Sequence, residues 1–302
     1  MTSYVTDGTV GPWAREKLDC LGKYLRAYTT ILQKRSWCKA FIYIDVFAGS
    51  GGAPIRQYKN RNSDQNMFLD VAKYIREEEK ETETYVHGSP KVALDIQIPF
   101  TEYIFIEKDT QRIRELEALR RGYGDKRKVT ILHGDANEQL QQYLLHDTRY
   151  DWRKCRALAF IDPFGMQVPW KTIYGLGQTK AIEILLNLPV GMAIQRLLPK
   201  SGQFSEERKV MLTDYFGSSD WEKIVYEDQT GLFGKQRMKK SDAGQQLAKW
   251  YQKRLKEAYG YSSKPRLITN TQGSHLYYLL WAGPKQTGAK IAGDVLKQGK
   301  VI

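Results

Sequence analysis

The chain has 302 residues, 41% hydrophobic and 27% charged, with 47 Lys and Arg against 34 Asp and Glu for a net charge of +13. A chain this long buries enough apolar surface to need no disulfide or metal staple, and its composition excludes bulk disorder. No run of eighteen apolar residues occurs, which excludes a membrane-spanning helix, and Met1 to Asp7 lack the charged start and apolar centre of a signal peptide. Cys20, Cys38 and Cys155 are far apart and form no C-x-x-C pair. They fit ordinary packing in a reduced compartment, so a cytoplasmic location with no structural zinc is expected.

In chain order, Pro12 stands at a favoured first-turn helix position. Trp13, Lys17, Leu18, Leu21, Tyr24, Leu25, Tyr28, Ile31 and Leu32 then recur at helical spacing, predicting an amphipathic helix within an N-terminal segment 1–36. Apolar segments at 40–46, 102–107, 129–132, 157–162 and 181–186 each suit a buried parallel strand. Helical stretches at 90–96, 109–120 and 137–145 fall between the first four. This alternation predicts a doubly wound α/β sheet with right-handed crossovers. Segments 266–270 and 275–282 flank Thr271-Gln272-Gly273-Ser274 and predict a closing antiparallel hairpin. Two stretches exceed a minimal sheet. One, 54–87, includes a charged helix at 68–81; the other, 190–263, is mostly helical by pattern. Loops of that length are usually functional, and both are candidates for recognising a substrate within a single domain over 1–302.

Four segments carry chemistry. Tyr43-Ile44-Asp45-Val46-Phe47-Ala48-Gly49-Ser50-Gly51-Gly52 runs from a strand into a glycine-rich turn, where a ligand meets bare backbone. A carboxylate at Asp45 would repel a pyrophosphate, and it suits the ammonium of an amino-acid moiety. No G-x-x-x-x-G-K-[ST] occurs, which argues against a nucleotide triphosphatase. In Phe105-Ile106-Glu107-Lys108-Asp109, Glu107 is placed to take ribose hydroxyls and Asp109 to cap a helix. In His133-Gly134-Asp135-Ala136-Asn137, Asp135 either accepts from an adenine amino group or caps a helix. In Phe160-Ile161-Asp162-Pro163-Phe164-Gly165, an Asp-Pro pair brings a carboxylate and a rigid carbonyl to the mouth of the sheet, beside an aromatic ring that could stack on a base. The alternative there is a turn with a satisfied Asp.

Acidic ends on strands one to four, in that order, point to S-adenosylmethionine as cofactor. The expected fold is then an α/β, Rossmann-like, doubly wound seven-strand sheet with an antiparallel C-terminal hairpin and a helical insertion, the class I methyltransferase plan. The expected cofactor set is Asp45, Phe47, Ala48, Gly49, Ser50, Gly51, Glu107, Lys108, Asp135 and Ala136. The expected catalytic set is Asp162, Pro163, Phe164 and Gly165.

Gly11-Pro12-Trp13, Lys17-Leu18, Tyr24 to Tyr28, Ile44 to Gly51, Gly88-Ser89-Pro90, Phe105-Ile106-Glu107, Ile161 to Gly165 and Leu276-Tyr277-Tyr278-Leu279 together resemble the three-Cys-motif partner proteins. This is a bacterial and phage family with a methyltransferase-like domain, and the resemblance covers most of the chain. It implies a cofactor-binding Rossmann-like fold and a candidate partner, a cysteine-motif protein of radical-SAM type. The Asp-Pro-Phe segment is also similar to amino-directed DNA and RNA methyltransferases, whose motif is Asp-Pro-Pro-aromatic. Here one proline is present, and Gly165 stands where the ring should be.

The basic residues gather as Arg56, Lys59 and Arg61; as Arg120, Arg121, Lys126, Arg127 and Lys128; as Lys235, Arg237, Lys239 and Lys240; and as Lys249, Lys253, Arg254 and Lys256 beside Trp250 and Tyr251. Cations interleaved with rings fit nucleic acid, although solvated helix faces look similar. The leading expectation is a methyltransferase acting on base amines of nucleic acid. A second is a non-catalytic partner that keeps the fold and presents nucleic acid to another enzyme. A third is a metal-dependent nuclease or nucleotide-processing enzyme, although strand spacing spreads Asp45, Glu107, Asp135 and Asp162 too widely for one metal.

Overall fold

The computed structural model describes residues 12–51, 88–146, 149–231, 234–270, 272–297 and 300–301. The expected insertion 54–87, its helix at 68–81, and the cluster Arg56, Lys59 and Arg61 lie outside the described residues. The chain opens with α1 (Pro12–Leu32) and then alternates: β1 (Ala40–Asp45), α2 (Ser89–Leu94), β2 (Glu102–Glu107), α3 (Thr110–Tyr123), β3 (Val129–His133), α4 (Ala136–Gln139), β4 (Cys155–Ile161), α5 (Trp170–Gln178) and β5 (Ile182–Leu188). α4 widens directly into a π-type turn, Leu140–His146. After β5 come a π-type turn (Val190–Ile194), α6 (Gln195–Leu197), α7 (Glu206–Phe216), α8 (Trp221–Val225), β6 (Tyr226–Gly231), β7 (Gly234–Lys239) and α9 (Ala243–Tyr259). The chain closes with β8 (Tyr261–Ser262), β9 (Arg266–Thr269), β10 (His275–Gly283), α10 (Gln286–Leu296) and β11 (Lys300–Val301).

The central sheet runs β11-β9-β10-β5-β4-β1-β2-β3, with β8 on the far end of β10. β1 to β5 pair in parallel, whereas β10 is antiparallel to both β5 and β9. The parallel core and its closing antiparallel hairpin are therefore as the sequence predicts. The count differs: the sheet has nine strands among the described residues, because the two-residue strands β8 and β11 add to the expected seven. Pieces that short carry no periodicity for a sequence to show.

Strand side chains alternate between faces, and the two faces differ in kind. Ile42, Ile44, Ile104, Ile106, Ala157, Ala159 and Ile161 point to one side, where α5, α7 and α9 pack on them through Ile173, Leu212 and Tyr251. Phe41, Tyr43, Tyr103, Phe105 and Phe160 point to the other, under α1, α2 and α10. The aromatic layer is continuous: Tyr43 lies edge-on to Tyr103 and to Phe105, with ring centres 6.4 Å apart in each pair. Each such side chain contributes roughly 1.5–3 kcal/mol through burial, so both faces anchor the strands whose ends form the site.

The segment 190–263 is helical over most of its described residues, and it also contains strands that the sequence pattern does not predict. Among the described residues it holds four helices and the antiparallel hairpin β6–β7. Its strands are polar (Glu227, Asp228, Gln229 and Thr230 are all exposed), so no apolar alternation betrays them. Trp221, Tyr226, Leu247 and Tyr251 nonetheless share one apolar cluster with Ile184 of β5. No helix among the described residues is long and apolar enough to cross a membrane.

Candidate functional site

Ligands of open α/β sheets bind beyond the carboxyl ends of the strands, and the candidate residues lie along that edge. Asp45 ends β1, in register with Phe105 on one side and Phe160 on the other, and is fully enclosed. Tyr43 donates to its Oδ2 at 2.9 Å. Burial pushes the Asp45 carboxyl up to about 7, against the opposing hydrogen bonds of Ser89 and Tyr43. Among the described residues its buried Oδ1 has no hydrogen-bond partner. An orphaned buried acceptor costs about 1–3 kcal/mol, and a cationic group seated there would complete it.

The turn after β1 is locked across two strands. Val46 donates its amide to the Phe160 carbonyl and Ala48 to the Ile106 carbonyl, each at 3.0 Å. Gly49 and Gly51 then take φ values of +61° and +72°, a region that favours glycine. Among the described residues, nothing lies within 4 Å of where a side chain at Gly49 would stand. Ala48 is buried; Phe47, Ser50 and Gly49 are half-buried.

Glu107 ends β2 and clasps this turn. Its Oε2 accepts from the Gly49 amide at 2.9 Å. Its Oε1 accepts from the Lys108 amide at 2.8 Å and the Asp109 amide at 2.9 Å. Among the described residues Oε1 thereby accepts two hydrogen bonds and Oε2 one. Asp109 caps α3 through the Gln111 and Arg112 amides, as the sequence predicts. Lys108 is exposed, and its carbonyl meets the His133 Nε2 at 3.0 Å, tying β2 to β3. At the end of β3, Asp135 caps α4 through one oxygen, which accepts from Asn137 at 2.9 Å and Glu138 at 3.4 Å. Of the two readings of Asp135, the cap is therefore present. Ala136 is buried in the core.

Asp162 follows β4 and is gripped from both sides. Lys17 of α1 donates to its Oδ2 at 2.5 Å, and Asn187 of β5 donates to its Oδ1 at 2.7 Å. Lys17 and Asp162 keep side-chain exposures of 12% and 22%, so solvent only partly screens this pair. Asn187 is buried, and among the described residues its Oδ1 has no partner. Pro163 is buried. The Phe164 amide donates to Gln167 at 3.0 Å, and the Phe164 ring lies 6.0 Å from the Arg112 guanidinium of α3. Gly165 takes φ +74°.

The edge thus brings together Asp45, the glycine turn, Glu107 and Asp162, each in a different environment. It adds three residues that sequence reasoning did not select. Lys17 hid as a member of an apolar helical stripe, where a lysine among Trp13, Leu18 and Leu21 was itself the signal. Asn187 is an amide in an otherwise apolar strand. Ser89 stands beside Pro90 at the start of α2. Among the described residues, no three or more His, Cys, Asp and Glu gather as metal ligands do.

Much of the clustered charge is committed within the fold. Arg127 donates to the Leu94 and Ile96 carbonyls, and Lys128 pairs with Glu102. Both lie at the opposite end of the sheet from the site. Lys239 and Lys240 cap the carbonyls of Gln195, Leu198, Lys223 and Ile224. Arg254 lies 4.0 Å from the Trp170 ring centre. Lys249, Lys253 and Lys256 are exposed.

No protein-family model and no curated protein matches the chain. Among solved structures, a Legionella pneumophila protein of family-model DUF519 is similar at 15% identity over 97% of this chain and 94% of its own, with a TM-score of 0.47. A conserved hypothetical protein of Streptococcus pyogenes is similar at 13% identity over 70% of this chain and 91% of its own, with a TM-score of 0.29. At these scores neither likeness bears on function, which is read from this chain's own residues.

Proposed function

We propose that the chain binds S-adenosylmethionine over the β1 and β2 ends and methylates an amine of nucleic acid, as a class I methyltransferase-like member of the three-Cys-motif partner proteins. The observation that carries the reading is the glycine turn itself. Glu107 holds the Gly49 amide from one side, and among the described residues nothing crowds the Cβ direction of Gly49 and the buried Oδ1 of Asp45 lacks a partner. A zwitterionic ligand with a ribose fits that set. Asp45 would hold the ammonium and the spare lone pair of Glu107 a ribose hydroxyl. The Asp135 oxygen that the α4 cap does not use would accept from the adenine amino group. The strand order β3-β2-β1-β4-β5 followed by an antiparallel β10 accords with this assignment.

The bound cofactor supplies a methyl group on a sulfonium. The protein's part is to orient an amine toward it and to accept N–H hydrogens as the nitrogen gains positive charge. Asp162 does this with an orientation fixed by Lys17 and Asn187, and the orphaned Asn187 Oδ1 gives a second buried acceptor beside it. A second reading, the non-catalytic partner that presents nucleic acid to a cysteine-motif protein, is favoured by one observation. Both Asp162 oxygens are already bonded within the chain, and Gly165 supplies no ring. Tritiated methyl transfer to DNA and RNA by the chain alone supports the first reading. Transfer only when such a partner is added supports the second.

The Asp45 environment gives this proposal a pH signature. In the free protein its carboxyl titrates at about 7 rather than 3.8, and an ammonium beside it favours the ionised form. Cofactor binding should then release a proton below pH 7, and affinity should fall up to about tenfold per pH unit there. Calorimetry at pH 6 in buffers of different ionisation heat should show a buffer-dependent enthalpy that Asp45→Asn removes. Equal affinity at pH 6 and pH 8, with no buffer dependence, would exclude Asp45 as the ammonium partner.

A further inference from the structure

Asp45 is a fully buried carboxylate at the end of an apolar strand, a placement that costs free energy unless donors compensate it. Phe41, Tyr43 and Asp45 alternate onto one face of β1, the face that α1 and α2 cover. Two hydroxyls serve the carboxylate there. Tyr43 donates to the Asp45 Oδ2 at 2.9 Å. Ser89, the first residue of α2, lies within hydrogen-bond reach of both the Asp45 carboxyl and the Tyr43 hydroxyl.

The aromatic layer does not need the Tyr43 hydroxyl. The Tyr43 ring packs against Phe100 at 5.7 Å and Phe105 at 6.4 Å between centres, contacts that a phenylalanine would also make. In the same layer the Tyr103 hydroxyl accepts from the Phe100 amide at 3.1 Å, whereas the Tyr43 hydroxyl goes to a carboxylate. Burial and the Asp45 charge hold the Tyr43 phenol well above its usual range. It therefore keeps its proton, and donates, throughout the neutral range.

The other neighbours set the balance. Phe105 and Phe160, opposite Asp45 on β2 and β4, bring no charge. The Phe47 amide favours the ionised form, while burial and the Asp162 carboxylate, itself paired with Lys17, disfavour it. Tyr43 and Ser89 are thus the side chains that keep a buried anion charged. Tyr43 also takes a particular oxygen. With Oδ2 engaged, Oδ1 is the one that has no partner among the described residues.

We propose that Tyr43 and Ser89 are positioning residues, which hold Asp45 ionised and turned so that Oδ2 faces the fold and Oδ1 is presented to a bound ammonium. This rests on the cofactor reading for the identity of the ammonium; the charge of Asp45 in the free protein does not depend on it. The first measurement therefore needs no cofactor. Carbon-13 NMR of the full chain labelled at aspartate carboxyls follows the titration of Asp45, assigned with Asp45→Asn. It compares wild type with Tyr43→Phe, Ser89→Ala and Ser89→Thr. Calorimetry then reads S-adenosylmethionine affinity between pH 6 and pH 8 in the same proteins, and thermal melting verifies that each folds.

Tyr43→Phe and Ser89→Ala should each raise the Asp45 midpoint from about 7 by about one pH unit, as expected when one hydrogen bond to a charged group is lost. The pH below which cofactor affinity falls should rise with it, which weakens binding about fivefold at pH 7. Ser89→Thr keeps the hydroxyl and should titrate close to wild type. Folded Tyr43→Phe and Ser89→Ala proteins that melt lower but keep the wild-type midpoint and pH profile would overturn the proposal, because a merely structural contact moves stability alone. Shifted midpoints in a chain that binds no S-adenosylmethionine would leave this assignment standing and remove the methyltransferase reading instead.

Discussion

Asp162→Asn is expected to lower methyl transfer to nucleic acid by at least about a hundredfold, the scale seen when a preorganised electrostatic contact is removed, with S-adenosylmethionine affinity nearly unchanged. The substitution keeps the shape of the side chain. It replaces the oxygen that meets either Lys17 or Asn187 by a donor, and it removes the negative charge that faces a nitrogen turning positive. It also leaves the Lys17 ammonium, 12% exposed, without its counter-charge, and an uncompensated charge of that kind destabilises. The second variant therefore matters: Lys17→Met/Asp162→Asn removes both charges together. Its melting temperature should recover toward wild type while its activity stays low. Methyl transfer that recovers along with stability would mean that Asp162 only braces α1 against the sheet. Single-turnover labelling, with melting curves on the same preparations, separates these outcomes.

The second large effect lies at the other end of β5. Glu183 is buried beneath α1, where Tyr24 donates to its Oε2 at 2.6 Å. Burial raises its carboxyl to about 7 from 4.5, against the Tyr24 hydrogen bond and the more distant Arg156 charge. The folded state thus holds a proton that the unfolded chain releases between pH 4.5 and 7. Its stabilising contribution is complete below pH 4.5 and is lost as pH rises through 7. The full loss is about 3 kcal/mol, at roughly 1.4 kcal/mol for each pH unit between the unfolded and folded values. Glu183→Gln is neutral at every pH and can still accept from Tyr24. It should melt near wild type at pH 5 and several degrees above it at pH 8. A variant less stable than wild type at pH 8 would show that the fold uses Glu183 as an anion. Asp45, raised from 3.8 to about 7, acts in the same direction, so the variant should retain part of the wild-type decline.

The parallel core was legible because each strand is a short apolar run between helical stretches. The bounds of β2 match the pattern at both ends, and β1, β3, β4 and β5 shift by one or two residues. The β6–β7 hairpin was not legible, because its backbone ladder holds polar side chains in solvent and leaves no alternation to read. The site divides in the same way. Asp45, Glu107 and Asp162 announce themselves as carboxylates after apolar strands, and Asp109 as a cap before a helix. Their partners do not. Lys17 lies 145 positions from Asp162 in the chain, and Gly49 lies 58 from Glu107. Only the crossovers bring them together. Likewise, no local pattern distinguishes Lys239 clamping two carbonyls from Lys253 facing solvent, so net charge alone overstated the surface open to a polyanion.

The claim on which the rest depends is that the glycine turn, held by Glu107, is a cofactor site. Calorimetric titration of S-adenosylmethionine into wild type and Glu107→Ala at pH 8 tests it most directly. A saturable one-to-one isotherm is predicted for wild type, weakened at least about tenfold in Glu107→Ala, as expected when hydrogen bonds to a charged group are lost. No heat from wild type at high micromolar ligand, or equal affinity in the two proteins, would contradict it.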